Sequence, residues 1–239
     1  MAHQLDRDGL RAAVYRADTD ALEVALNGGA WPEDALQLVG DAVREVARQR
    51  PDEIRPSARR CVAALRDRDW EGDAELATQI EATLGWGPTP LLKNLPVDLE
   101  ELAGVLEGDP LTGGGRIDLH TGEVWPQAAI EYAEEVGEED PDAEDEERWL
   151  HVFCEGSRAG YRDMEIFIDN LEDDRLADRL ARVIRGRGAF RRFKDVLADS
   201  PDLLDRWYGF SDERHRGRAR AWLAGEGYAP TLPKPLPAS

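Results

Sequence analysis

The spacing of apolar residues changes once near the middle of the chain, and that change restricts the folds available to it. Up to Leu106 the apolar positions recur three and four residues apart, as one face of an α-helix requires. Leu10, Ala13, Val14 and Ala17 make one such run, and Leu22, Ala25 and Leu26 another. Leu36, Val39, Val43, Val46 and Ala47 follow, then Cys61, Ala64 and Leu65, then Leu76, Ile80 and Leu84, then Leu99, Leu102, Val105 and Leu106. From Gly113 the pattern becomes alternation, "GGGRIDLHTGEVWP", with "HTGE" as the turn and Gly122 free to take positive φ. "RWLHVFCEG" alternates again and reads as a strand buried on both faces that pairs with this hairpin. After Tyr161 the helical spacing returns: Tyr161, Met164, Ile168 and Leu171, then Leu176, Leu180, Val183 and Ile184, then Phe190, Phe193 and Leu197.

This order predicts a mostly helical α+β fold. An N-terminal all-α domain, a bundle or a repeat-like stack, covers 1–108. A small antiparallel β-hairpin or sheet packed by a C-terminal helical bundle covers 109–228, and 229–239 is expected to be a flexible tail. Asp18 is placed to cap the second helix, and Pro32 suits a first helical turn. Pro51 and Pro56 are expected to bracket a break, with Ser57 capping the helix that follows. "GWGPTPLLKNLP" reads as a linker or ordered loop. Ser200-Pro201 opens a helix and Ser211 is expected to cap a separate last one. Residues 131–147 hold eleven acids and no base, a block that repels itself and reads as a mobile loop.

Four segments of the second half, "RIDLHTGEVWP", "GYRDMEIFIDNL", "GRGAFRRFKDVL" and "DRWYGFSDERHRGRARAWLAGEGY", resemble in order and spacing the uncharacterised bacterial protein family UPF0158, over about residues 113–228. The shared features are the "TGE" turn, a Tyr-x-x-Met-x-x-Phe helix, the "GRGAFRRFK" block and a Trp-Tyr pair ahead of the last helix. The resemblance implies one compact α+β module in which the basic block is a family feature. It brings no activity, cofactor or catalytic residue, and the N-terminal helices stand outside it.

Thirty basic and fifty acidic residues give a net charge of −20. Such a chain repels nucleic acid at long range and suits a basic partner. No run approaches the roughly 20 apolar residues of a membrane span, and the first residues lack the cationic start and apolar core of a secretory signal. Cys61 and Cys154 lie far apart in apolar runs, so free thiols in a reducing cytoplasm are expected.

Against this acidity stands "RGRGAFRRFK". Arg185, Arg187, Arg191, Arg192 and Lys194 are five cations with no acid among them. Gly186 and Gly188 let one helix stop and the next start at a tight angle, and the free N–H groups of the new helix favour an anion. Arginine's forked donors fit phosphate or carboxylate. The block therefore reads either as an anion or partner site (Arg185, Arg187, Gly188, Arg191, Arg192, Lys194) or as ordinary surface charge, with Arg191 paired to Asp195, Arg192 to Asp173 or Asp174, or the acidic loop folded back onto these arginines. A second run, Arg214, Arg216, Arg218 and Arg220, spreads around its helix and is expected to pair at scattered surface points.

Other chemistry is weakly indicated. Tyr161, Trp207 and Tyr208 could line a pocket, although core packing is the plainer account. Histidines 3, 120, 151 and 215 show no metal-ligand spacing. Glu165 and Asp169 share a helix face but read as solvated. Neither cysteine has a cationic neighbour that would activate it. No Walker loop, dinucleotide fingerprint or nucleophile elbow is present. The sequence favours a non-catalytic module that binds a protein partner through the basic block 185–194 and the acidic loop 131–147, without metal or cofactor. A binding protein or enzyme for a phosphorylated small molecule at the Gly188 helix start is the alternative, and nucleic acid is disfavoured.

Overall fold

The structure is a computed structural model that describes residues 6–28, 31–109, 113–137, 145, 147–154 and 156–232. The first part contains helices α1 (Arg7–Tyr15), α2 (Thr19–Asn27), α3 (Leu36–Gln49), α4 (Pro51–Arg68) and α5 (Asp73–Thr83), with a short 3-10 turn at Glu33–Ala35 before α3. Then come β1 (Lys93–Leu95), α6 (Leu99–Leu106), β2 (Gly115–Asp118), β3 (Val124–Pro126), α7 (Gln127–Glu135) and β4 (Trp149–Val152). The chain continues through α8 (Arg158–Asp169), α9 (Asp174–Val183), α10 (Ala189–Leu197), α11 (Pro201–Gly225) and β5 (Tyr228–Pro230).

The N-terminal helices form because each has an apolar stripe and a defined start. Asp6 and Asp18 accept the Gly9 and Ala21 amides at 3.0 and 3.1 Å, and so cap α1 and α2. Their stripes meet in one core that runs from Leu10 to Leu84. Pro56 does not break the chain as expected. It lies inside α4, where the one helical hydrogen bond it removes is close to the exposed N-terminal end. Ser57 is accordingly buried within the helix and caps nothing.

A second core joins Leu95, Val97, Leu99, Leu102 and Leu106 to Ile117, Val124, Val152, Ala219 and Leu223. Helix α6 therefore packs on α11 and the sheet, ahead of the expected boundary at residue 108. The three strands run antiparallel in the order β3-β2-β4, with Ile117 opposite both Val124 and Leu150. Asp118 fixes the turn by accepting the His120 and Thr121 amides at 2.8 and 3.2 Å. Strand β4 is buried on both faces only at its start, since on the face of the buried Trp149 the next residues, His151 and Phe153, are exposed. The expected loop at 131–147 begins as helix instead, because α7 continues to Glu135; residues 138–144 and 146 lie outside the described ones. The supposed linker supplies β1, which pairs in parallel with β5. The tail is thus tied through Pro230; residues 233–239 lie outside the described ones.

The third core gathers α8, α9, α10 and the first half of α11 around Phe167, Phe193, Trp207 and Phe210. Helix α11 spans 25 residues without a break at Ser211 and touches α3, α5, α6, α8, α10 and β5. It can lie against the turn between α4 and α5 because glycine faces glycine there. A Cβ on Gly217 would stand 2.0 Å from Glu71 O, and one on Gly72 would stand 2.2 Å from Gly217 O. Gly72 also has φ +86°, which a side chain would strain.

Candidate functional site

The basic block forms a knuckle between α9 and α10. Gly186 and Gly188 both take positive φ, 90° and 74°, and turn the chain between the helices. Phe193 and Leu197 anchor α10 in the third core, which leaves the opposite face of that helix outward. Arg191 and Lys194 are exposed on α10, and Arg185 and Arg187 on the turn before it, with Phe190 36% exposed beside them. No carboxylate among the described residues forms an ion pair with Arg185, Arg187 or Lys194, and Arg191 reaches Asp195 only at 3.9 Å with both side chains in solvent.

Arg192 behaves differently from its neighbours. It does not meet Asp173 or Asp174. Its Nε donates to Val183 O at 2.8 Å, Nη2 to Arg185 O at 2.9 Å, and Nη1 to Arg187 O. One guanidinium thereby satisfies carbonyls that the end of α9 and the turn leave without helical partners. Arg192 is a brace for the knuckle, and its donors are not available to an incoming anion. Asp173, which was a possible partner, instead caps α9 by accepting the Arg175 and Leu176 amides.

The second arginine run is internal, contrary to the expectation of scattered surface pairs. Residues four apart share a helix face, and each such pair grips one carboxylate. Arg214 and Arg218 meet Asp163 of α8 at 2.9 and 2.8 Å. Arg216 and Arg220 meet Asp41 of α3 at 3.5 and 2.7 Å. Arg218 also binds Glu107, Arg216 binds Glu100, and Arg220 donates to Gln37 and Gln79. Glu213 on the same helix accepts from Arg68 and from the Gln37 and Leu38 amides. Burial pushes the Asp41 carboxyl up, but Arg220, Arg216 and Arg44 outweigh it and hold the group below its ordinary value. These contacts bolt α11 to both halves of the molecule. They leave no second free basic run to extend the knuckle.

Tyr161, Trp207 and Tyr208 are not brought together into a pocket. Trp207 is 5% exposed and packs edge-on against Phe193 and Phe167, with centroids at 4.7 and 5.2 Å. Tyr208 points to solvent, Tyr161 packs against the third core, and none of the three lines a described cavity. Cys61 is fully buried, and burial pushes its thiol pKa up; Cys154 donates to Gly108 O at 2.7 Å. Glu165 and Asp169 are exposed. Among the described residues no group of three His, Cys, Asp or Glu side chains could hold a metal ion, and no helix is long and apolar enough to cross a membrane.

One residue escaped the sequence reading. Arg44 is 6% exposed and lines a cavity of about 480 Å³ between α1, α3, the segment 97–100 and the chain after β5. The available signal was an arginine one position from Val43 and two from Val46, inside the longest apolar stripe of the N-terminal half.

The whole is a mostly helical α+β protein in which helices from both halves of the chain pack against one long arginine-rich helix, with a small antiparallel sheet beside it. Residues 134–239 match the family described as "Uncharacterised protein family (UPF0158)". The UPF0158 protein PA5073 of Pseudomonas aeruginosa is 27% identical over 146 residues, which cover 58% of this chain and 88% of that relative. No solved structure matches the chain.

Proposed function

We propose that the protein is a non-catalytic interaction module that docks an acidic segment of a protein partner on the α9–α10 knuckle. The observation that carries this reading is the division of labour among the arginines. Arg192 is consumed in bracing the backbone, while Arg185, Arg187 and Lys194 stand in solvent without an ion pair among the described residues. Exposed arginines on a braced turn lose less freedom on binding than arginines on a loose one. Their forks suit carboxylates, and the half-exposed Phe190 ring supplies an apolar contact beside them. The alternative of a phosphorylated small molecule at Gly188 is weaker, because the arginine nearest that helix start, Arg192, already donates to carbonyls. Nucleic acid is opposed by the net charge of −20.

A fluorescent Glu/Asp-rich peptide is the probe. Its anisotropy with the full chain should rise saturably and fall with added salt. Arg185→Glu with Arg187→Glu should weaken binding by at least about tenfold, as loss of charge-assisted hydrogen bonds implies. An Asp195→Asn variant, which frees Arg191, should bind slightly more tightly. Equal binding by the parent and the Arg185→Glu, Arg187→Glu variant would refute the proposal.

A further inference from the structure

The cavity beside Arg44 shares no lining residue with the knuckle and has a different chemistry. Its apolar wall is Val14, Val97, Leu99 and Leu232. Its volume of about 480 Å³ falls in the range of roughly 300–1,000 Å³ typical of small-molecule sites. The polar groups around it are mostly committed to one another. Asp41 is held by Arg220 and Arg216, and Glu100 by Arg216 at 2.6 Å and Arg11 at 3.2 Å. Arg48 is held by Glu45 at 2.8 Å, and Asp98 is occupied in capping α6 through the Glu100 and Glu101 amides.

Arg44 is the buried exception. It is more than nine-tenths buried, yet it has no ion pair among the described residues. Nη1 donates to Pro230 O at 2.9 Å. Nε is buried with no acceptor, and no acceptor among the described residues takes Nη2. A buried guanidinium in this state is costly, and an anion beside it would relieve the cost. Burial, then the nearby Arg220 charge, pushes its pKa down to about 9, as expected where positive charge is in excess.

We infer that this cavity is a binding site for a small amphipathic monocarboxylate, whose carboxylate pairs with Arg44 and whose apolar body lies against Val14, Val97, Leu99 and Leu232. A monoanion fits better than a phosphate dianion. Arg44 is the one arginine of the wall that is both buried and without an ion pair among the described residues, since Arg16, likewise unpaired, is exposed; the Asp41 and Glu45 carboxylates only partly offset its charge, and Asp8 and Asp98 in the same wall oppose a second negative charge. The reading requires no part of the basic knuckle.

Octanoate, octyl phosphate and octylamine are the probes, titrated calorimetrically into the full chain. Octanoate should bind saturably at one site per chain, more tightly than octyl phosphate, and octylamine should not bind. Arg44→Met should weaken octanoate by at least about tenfold, the loss of a charge-assisted hydrogen bond. Ala12→Phe, which fills the cavity from α1, should do the same. Arg185→Glu with Arg187→Glu should leave octanoate binding unchanged, which separates this site from the docking surface. In the unaltered protein, the Arg44 Nε–H resonance should shift on octanoate addition, and this readout holds even if a variant folds poorly. Absence of saturable octanoate binding, undiminished binding by Arg44→Met, tighter binding of octyl phosphate or octylamine, or an unmoved Arg44 resonance would each overturn the inference.

Discussion

Replacing Arg220 by methionine tests whether α11 is held by its buried ion pairs. Arg220 is 0% exposed, the largest fully buried side chain in the molecule's described part. It donates to Asp41 at 2.7 Å, to Gln37 at 2.8 Å and to Gln79 at 3.2 Å. Removing one partner of a buried pair costs about 3–5 kcal/mol, since the other charge stays behind. Asp41 keeps Arg216 at 3.5 Å, which moderates the loss. The two glutamine oxygens left without a donor add to it, at about 1–3 kcal/mol for each that finds no replacement. Methionine fills most of the volume and returns about 1.5–3 kcal/mol of apolar burial. The net expectation is a destabilisation of about 3–4 kcal/mol, dominated by the stranded carboxylate. Urea unfolding followed by tryptophan fluorescence measures it. With an m-value of about 3 kcal/mol per M, the midpoint should fall by about 1 M. Asp41→Asn added to Arg220→Met should recover part of the loss, because the charge left without its closest partner is then gone. A midpoint unchanged by Arg220→Met would refute the claim that this pair secures α11 to α3.

Gly217→Ala should destabilise by about 1–3 kcal/mol or more by overpacking, since its Cβ would sit 2.0 Å from Glu71 O; the same unfolding assay reads it. Arg192→Ala should cost about 1–3 kcal/mol and should raise amide exchange between residues 183 and 192, because carbonyls of the α9 end lose their donor. Stability should fall in acid. Burial raises Asp41, Glu107 and Asp118, but arginine partners, His215 for Glu107 and backbone amides for Asp118 hold all three below their ordinary 3.8, 4.5 and 3.8. The unfolded chain therefore takes up these protons first, so stabilisation is complete above those ordinary values and is lost as pH drops below them through the folded ones. Chemical unfolding repeated from pH 7 to pH 3 should show that decline. Native iodoacetamide labelling should spare Cys61, which is fully buried with a raised thiol pKa.

The elements most legible in the sequence were those whose signal is local. Asp18 starts a helix where its side chain accepts an amide three residues on. Gly122 and the "HTGE" turn announce the hairpin. What failed was whatever depended on distant chain. Pro56 was misread because a proline costs little near an exposed helix start, and no local pattern reveals that α4 begins five residues earlier. β1 and β5 are three-residue strands that exist only because each supplies the other's backbone partners, and they lie more than 130 residues apart. The same holds within the candidate site. The exposure of Arg185 and Arg187 followed from composition, but the bracing role of Arg192 follows from a turn whose carbonyls converge only after the two glycines take positive φ.

The burial of arginine on α11 bears on the knuckle as well. Arg216, Arg218 and Arg220 are drawn inward, and the acids they meet, Asp41 and Asp163, go with them. Each buried arginine–carboxylate pair removes one charge of each sign from the surface, so the imbalance of −20 is carried by the groups that remain outside. The smaller the pool of exposed cations, the larger the contrast where several of them adjoin, as Arg185, Arg187, Arg191 and Lys194 do. On the docking reading proposed above, an acidic partner would be repelled by much of such a surface and attracted at the knuckle, and would gain its orientation from repulsion elsewhere as much as from that attraction. The consequence is measurable: neutralising surface acids far from α10 should speed association with the acidic peptide yet leave the effect of Arg185→Glu, Arg187→Glu intact. If binding then survived that double variant, the surface at large, and not the knuckle, would be the docking site.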